Sequence, residues 1–197
     1  AHIATLVQAG EELKLVLDDL SDLDRLENGE VRIEPKRADP RELVKSVVAA
    51  FRPAAQDKHL ELFLDISRQA PALVEMDALR VRQVLFNLLA NAVRYTTHGG
   101  VRVSLSARPQ EDGRVRLTFI VADTGAGMSR SKLAMIFARE CYAADGEGPG
   151  LGLAISLRLA KLMGGQLNAR SDLGQGSVFT FSLDAPIARS RDNSAAA

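Results

Sequence analysis

The sequence contains little cysteine, no excess of either charge and no long apolar run. One cysteine among 197 residues, Cys141, excludes a disulfide bond within the chain and is typical of a reducing compartment. The 25 basic and 25 acidic side chains cancel, so the composition indicates neither a nucleic-acid nor an anionic-membrane partner. No apolar run approaches the roughly 20 residues that span a bilayer, and no signal peptide is visible. We therefore expect a cytoplasmic chain that contacts neither nucleic acid nor membrane directly, while a longer parent protein could be anchored in a membrane by sequence outside this chain.

The chain is long enough for one globular domain with an appendage. The appendage is a predicted helix over residues 1–29, in which apolar residues recur at intervals of three and four and Gly29 provides a left-handed stop. So long and narrow a stripe needs a partner helix; the alternative is a helix that packs on its own domain. Residues 30–39 are predicted as a linker strand because Val31 and Ile33 alternate with charged residues, residues 40–184 as the globular domain, and residues 185–197 as a disordered tail.

Within the globular domain, helix and strand patterns alternate along the chain. Asp39 and Pro40 predict the start of a helix that reaches Asp57, and Asp77 is predicted to cap a second long helix with a leucine-rich face. Shorter helices are predicted over residues 129–137 and 152–163. Strands are predicted over residues 60–66, 101–107, 115–122, 166–171 and 177–183. Helices and antiparallel strands in this order predict an α+β fold, a two-layer α/β sandwich.

Two asparagines occur four residues apart on the second helix. Asn87 and Asn91 therefore share one helix face, and Arg94 lies on the adjacent face. Mg²⁺ in nucleotide sites prefers oxygen ligands and takes few from the protein, so Asn91 is the candidate metal ligand. The guanidinium of Arg94 offers forked donors to phosphate oxygens. The alternative is that both asparagines only bond local backbone groups.

A carboxylate follows the apolar run that ends at Val121. Asp123 can accept a hydrogen bond from the exocyclic amine of adenine, a group that guanine lacks at that position, and Gly125 and Gly127 allow a base to approach the backbone closely. On its own, this Asp-x-Gly-x-Gly segment could equally be a turn or a fragment of a calcium loop.

Glycines at alternate positions precede the last predicted helix. The backbone N–H groups of Gly148, Gly150 and Gly152, together with the helix N-terminus, predict an anion site. A Rossmann fingerprint requires a different glycine spacing after a strand, and a P-loop requires Gly-Lys-Ser/Thr, which this segment lacks.

Together these segments resemble the ATP-binding domain of sensor histidine kinases, in the GHKL superfamily with gyrase, the Hsp90 chaperones and the mismatch-repair ATPases. Residues 87–95 resemble the N box, residues 123–127 the G1 box and residues 148–152 the G2 box, over a match of roughly residues 39–183. The resemblance implies the Bergerat ATP-binding fold, with ATP and Mg²⁺ as cofactors and Asn91 as the metal ligand. The nucleotide-binding residues it implies are Asn87, Asn91, Arg94, Tyr95, Asp123, Gly125, Gly127, Phe137 of the F box, Gly148, Gly150, Leu151, Gly152 and Ser177, a hydroxyl near the phosphates in the family.

The resemblance also implies an activity and partners. Hydrolytic branches of the superfamily place a glutamate where this chain has Asn87, and asparagine has no comparable basic site, so water attack is unassisted. The implied function is transfer of the γ-phosphoryl of Mg-ATP to a histidine outside this chain, for relay to a response-regulator receiver domain. We assign no residue a catalytic role. Residues 1–29 resemble the second helix of the dimerisation hairpin, which implies a homodimer.

Two other functions remain open. The stretch between Phe137 and Gly148 is shorter than the usual ATP lid, and Pro149 replaces a common threonine, which favours a pseudokinase that docks a receiver domain without phosphotransfer. A serine kinase of the anti-sigma type has the same ATP fold, although the helix over residues 1–29 argues against it. None of the three histidines resembles the family's acceptor, since each lacks the acidic residue that follows it; they are His2, His59 and His98.

Overall fold

The computed structural model describes residues 25–26, 28–137 and 151–188. Within them the helices are α1 (Pro40–Asp57), α2 (Ala78–Tyr95), α3 (Arg130–Phe137) and α4 (Leu151–Leu162). The strands are β1 (Lys36–Ala38), β2 (Glu61–Ile66), β3 (Val74–Met76), β4 (Gly100–Pro109), β5 (Arg114–Asp123), β6 (Gln166–Asp172) and β7 (Gly176–Pro186). Most of the predicted first helix, the predicted anion-site residues Gly148 and Gly150, and the tail from residue 189 onward lie outside these ranges.

A five-stranded sheet in the order β2-β4-β5-β7-β6 forms one layer of the domain. The pairs β4–β5, β5–β7 and β6–β7 are antiparallel, as predicted, and Glu111–Gly113 makes the turn between β4 and β5. The predicted antiparallel pairing does not extend to β2, which pairs with β4 in parallel. Parallel neighbours require a long crossover, and here α2 lies within that connection.

Helices α1, α2 and α4 form the second layer of the sandwich. Alternate residues of β4, β5 and β7 are buried, and so are the apolar faces of the three helices. Phe119 and Phe181 pair across β5 and β7 with stacked rings 5.6 Å apart. The predicted α+β two-layer sandwich is therefore confirmed.

Side-chain caps set where the two long helices begin. Asp39 accepts hydrogen bonds from the N–H groups of Arg41 at 2.7 Å and Glu42 at 3.3 Å, as its position before Pro40 predicts. Asp77 caps α2 through the N–H of Arg80 at 3.1 Å. Its second oxygen accepts the N–H of Glu34 at 2.9 Å, which ties the linker to the start of α2.

The linker strand occurs later in the chain than the alternation of Val31 and Ile33 predicts. The strand is β1, at Lys36–Ala38, and it pairs with β3 in a separate two-stranded sheet. Residues 31–33 are not a strand because β3 offers only three residues for pairing, and the N–H of Glu34 is bonded to Asp77 instead.

Both ends of the described chain are held by backbone hydrogen bonds. Gly29 has φ of +69°, and the N–H groups of Gly29 and Glu30 donate to the carbonyls of Leu26 and Arg25, which confirms the predicted helix stop. The predicted tail boundary at residue 184 is wrong, since β7 runs to Pro186, Ile187 bridges to Val74 and Ala188 donates to Leu73. No helix in the described ranges is long and apolar enough to cross a membrane.

Candidate functional site

A cavity opens where the C-terminal half of α2 meets the end of β5 and the start of β7. Five of the residues predicted to bind nucleotide line it: Asn91, Tyr95, Asp123, Gly127 and Ser177. The cavity therefore brings together the N box, the G1 box and the last strand, which are separated along the sequence.

The two asparagines of α2 have different surroundings, although they share one helix face. Asn87 donates from Nδ2 to the carbonyl of Gly152 at 2.9 Å and to Ser156 Oγ at 3.4 Å, so its carboxamide joins α2 to α4. Asn91 lines the cavity, and within the described residues its carboxamide makes no hydrogen bond. Of the two, Asn91 is the one whose carboxamide is available to a ligand.

Asp123 is a half-buried carboxylate at the end of β5. Burial raises its pKa above the usual range, while the backbone N–H groups of Gly125 and Ser177 act in the opposite direction by bonding to the carboxylate. The Gly125 N–H lies 2.8 Å from Oδ1. These two bonds fix the orientation of the carboxyl group, which faces the cavity.

The loop after Asp123 is folded tightly between α2 and the β6–β7 hairpin. A Cβ on Gly125 would collide with the carbonyl oxygen of Tyr95, and one on Gly127, which has φ of +63°, with that of Asp172. The Gly174 N–H also donates to the carbonyl of Ala126 at 2.7 Å. Glycine is therefore required at both positions for the loop to form this wall of the cavity.

Ser177 lies directly opposite Asp123 in the pairing of β5 with β7. The residue is 7% exposed and its Oγ is 3.0 Å from Ser171 Oγ. Ser177 therefore lies beside the Asp123 carboxylate, whereas the family resemblance implies a hydroxyl near the phosphates.

Other predicted residues are not among those that line the cavity. Arg94 is exposed at the end of α2, with its guanidinium 5.6 Å from the ring centre of Tyr95. Phe137, at the end of α3, lines a separate shallow groove with Asn168 and Ala169. Leu151 and Gly152 begin α4, and Gly152 packs against Asn87, where a Cβ would lie 3.1 Å from its side chain. Gly148 and Gly150 are outside the described residues.

Several cavity residues have no counterpart in the sequence-based prediction. Lys132 and Ile136 are one helical turn apart on α3, and both line the cavity. The helical period pairs these two with each other, but it does not reveal which face of α3 meets the site. The remaining lining residues are Ala92, Ala126, Met128, Leu153 and Phe179.

Comparison with known proteins agrees with this geometry. Residues 76–187 match the family described as histidine kinase-, DNA gyrase B- and HSP90-like ATPase. The chain is 35% identical over 196 residues to the autoinducer 2 sensor kinase/phosphatase LuxQ of Vibrio cholerae, with 97% of this chain and 23% of LuxQ covered. It is 32% identical over 195 residues to the sensor protein GacS of Pseudomonas syringae, with 95% and 21% covered.

A solved structure is similar over nearly the whole chain. The crystal structure of full-length ShkA in complex with AMPPNP matches with a TM-score of 0.78 and 34% identity, covering 96% of this chain and 39% of ShkA. The chain spans less than a quarter of the length of the two curated relatives. The family match includes α2, β7 and the loop that follows β5, so it contains every described element that forms the cavity. The chain therefore belongs to the family of histidine kinase-, DNA gyrase B- and HSP90-like ATPases.

Proposed function

We propose that this chain is the ATP-binding catalytic part of a two-component sensor histidine kinase. Family membership implies ATP binding. The observation that carries the proposal is the pairing of an oriented, half-buried carboxylate, Asp123, with a carboxamide that has no partner among the described residues, Asn91, in one cavity. The sensor kinases to which the chain is similar over 95% or more of its length support the kinase over other ATPases.

Asp123 takes the adenine base. Its carboxylate accepts a hydrogen bond from the exocyclic amine, and its bonds to Gly125 and Ser177 hold it in place before the base arrives. Ile136, Leu153 and Phe179 line the cavity with apolar side chains, which suit the flat faces of the base. Guanine has a carbonyl at the amine position and would meet the carboxylate with like polarity.

The residues present fit a magnesium ion beside the phosphates. Asn91 offers one neutral oxygen from a side chain that faces the cavity, and Mg²⁺ in nucleotide sites takes few protein ligands and keeps waters and phosphate oxygens. A bound Mg²⁺ would neutralise phosphate charge. Lys132 lines the same cavity, and Arg94 is exposed at the end of α2; we propose these two cations as partners for the phosphates. Gly148, Gly150, Leu151 and Gly152 would contribute N–H groups to it.

The asparagine at position 87 favours phosphoryl transfer to a protein side chain over attack by water. The Asn87 carboxamide bonds Gly152 and Ser156 and has no basic site. Without a general base for water, the site retains the γ-phosphoryl for a histidine held in place by another segment. That histidine belongs to the parent protein, which we propose to be a homodimer paired through residues 1–29 that passes the phosphoryl group to a response-regulator receiver domain.

Nucleotide selectivity tests the proposed base site. Asp123→Ala removes the acceptor for the adenine amine, and the loss of that hydrogen bond should cost on the order of 1–3 kcal/mol of ATP binding. Titration calorimetry of the wild-type chain and the variant with ATP and GTP measures this directly. Equal ATP affinity in the two proteins would remove Asp123 from base recognition.

Phosphorylation of the complete parent protein tests the kinase. With radiolabelled ATP, an active kinase gives a label that is stable in alkali and labile in acid, and Asn91→Ala should abolish it. A complete protein that binds ATP but takes no label would instead be a pseudokinase, the outcome favoured by Pro149 and the short segment before Gly148.

A further inference from the structure

A lysine at the end of α1 bonds the C-terminal end of α2. Lys58 is the C-cap residue of α1, and its Nζ lies 2.8 Å from the carbonyl oxygen of Val93 and 2.9 Å from that of Arg94. The last four carbonyl groups of a helix have no partner within the helix, and they carry a partial negative charge that a cation stabilises. Lys58 therefore caps α2 from a different segment of the chain.

The turn that carries Lys58 is fixed by its backbone. The N–H of His59 donates to the carbonyl of Gln56 at 2.9 Å, and the N–H of Leu60 donates to that of Ala55 at 2.8 Å, which is the Schellman arrangement at a helix end. His59 has the left-handed φ of +55° that this arrangement requires. Because Leu60 and Ala55 are both buried, the turn is anchored in the core, and the backbone of Lys58 is held in place.

The last turn of α2 in turn supports the loop that orients the Asp123 carboxylate. Tyr95 lines the nucleotide cavity, and its carbonyl accepts the N–H of Ala126, another lining residue, at 3.4 Å. Gly125 packs so closely against the same carbonyl that a Cβ would collide with it, and the Gly125 N–H bonds Asp123. A displacement of the last turn of α2 would therefore move the loop that holds Asp123.

We propose that Lys58 is a positioning residue for the nucleotide site. It is not among the residues that line the cavity, so it acts through the carbonyl groups of Val93 and Arg94 and not by contact with the nucleotide. Its two hydrogen bonds hold the last turn of α2 against the loop after β5, and this sets the position of the Asp123 carboxylate for adenine. The inference deepens the proposed function and rests on the base site at Asp123.

Calorimetry with adenosine, ADP and ATP tests this role. Lys58→Met removes the donors and should weaken the binding of all three ligands by the same factor, about three- to tenfold, because the base site is common to them and this is the range for one lost hydrogen bond. Lys58→Arg keeps a cation with several N–H donors and should restore affinity to within about twofold of wild type. Lys45→Met is the matched control, since Lys45 is an exposed lysine of α1 that pairs with Glu42, and it should change nothing.

Two outcomes would overturn the proposal. A loss that grows from adenosine to ADP to ATP would show that Lys58 acts on the phosphate side, by its own charge or through Arg94, and not on the base site. A Lys58→Met chain that is less stable in urea but binds adenosine as tightly as wild type would show that the lysine only stabilises the fold.

A second variant covers a failure to fold. If Lys58→Met does not fold, Lys58→Gln, whose side chain is uncharged and one atom shorter, gives the same comparison with Lys58→Arg. A wild-type chain that binds none of the three ligands would defeat the proposed function itself. Wild-type binding that neither Lys58→Met nor Lys58→Gln weakens would defeat only this inference.

Discussion

Exchanging each of the two α2 asparagines for alanine should separate stability from metal-dependent binding. Asn87→Ala removes the hydrogen bonds to Gly152 and Ser156. The Gly152 carbonyl is not left unpaired, because Ser156 Oγ donates to it at 2.7 Å. The cost is therefore limited to the net value of the lost bonds and the packing of the carboxamide, about 1–2 kcal/mol of unfolding free energy.

Asn91→Ala should have the opposite profile. Within the described residues the Asn91 carboxamide has no hydrogen-bond partner to lose, and alanine is the better helix former, so the unfolding free energy should stay within about 0.5 kcal/mol of wild type. The strengthening of ATP binding by Mg²⁺ should fall about tenfold or more, since even outer-shell partners of metal ligands change metal affinity by that amount.

Urea denaturation measures the first quantity, and titration calorimetry with ATP, in Mg²⁺ and in EDTA, measures the second. Asn168→Ala, an exposed asparagine on β6, is the matched control and should alter neither. If Asn87→Ala abolishes the Mg²⁺ effect while Asn91→Ala preserves it, the metal ligand is Asn87 and the assignment argued from the cavity is wrong.

Three further outcomes are expected. Burial raises the pKa of Asp123, so the folded chain binds a proton on this carboxyl group more tightly than the unfolded chain does. The contribution of Asp123 to stability is therefore greatest below the ordinary aspartate pKa of about 3.9 and is lost as the pH rises through the raised pKa. Urea titrations should show the unfolding free energy of wild type minus that of Asp123→Ala falling with pH, and a rising difference would contradict this. Gly127→Ala should destabilise the chain by more than about 1 kcal/mol in the same assay, and by more than Gly113→Ala, whose φ of +70° is similar but whose Cβ would meet nothing within 4 Å. Finally, this chain incubated alone with radiolabelled ATP should acquire no acid-labile label, because none of its three histidines resembles the acceptor and His59 and His98 are exposed residues next to strands. Label on the isolated chain would show that the acceptor lies within it.

Features that depend on neighbouring residues were predictable from the sequence. Asp39 and Asp77 cap helices because their side chains reach N–H groups two or three residues ahead, and Gly29 ends a helix because glycine adopts positive φ without strain. The β4–β5 hairpin follows from alternation and a turn at Asp112 and Gly113. Such interactions are local, so composition and spacing are enough to predict them.

Features that depend on distant partners were not predictable from the sequence. The strand β3 has three residues and no strong pattern, and it exists because β1 pairs with it. The linker strand consequently forms at residues 36–38, where β3 provides partners, although Val31 and Ile33 have the clearer alternation. The parallel pairing of β2 with β4 is likewise set by the crossover through α2.

The candidate site divides in the same way. The sequence by itself determined the chemical groups, the carboxylate of Asp123, the carboxamides of α2 and the glycines, because their spacing is typical of a nucleotide site. Only the tertiary structure decided that Asn87 bonds α4 while Asn91 faces the cavity, that Ser177 lies beside Asp123, and that Lys132 and Ile136 belong to the site. The physical reason is that helical spacing places both asparagines on one face, whereas the element packed against each turn of that face determines whether a side chain is used for packing or remains available to a ligand.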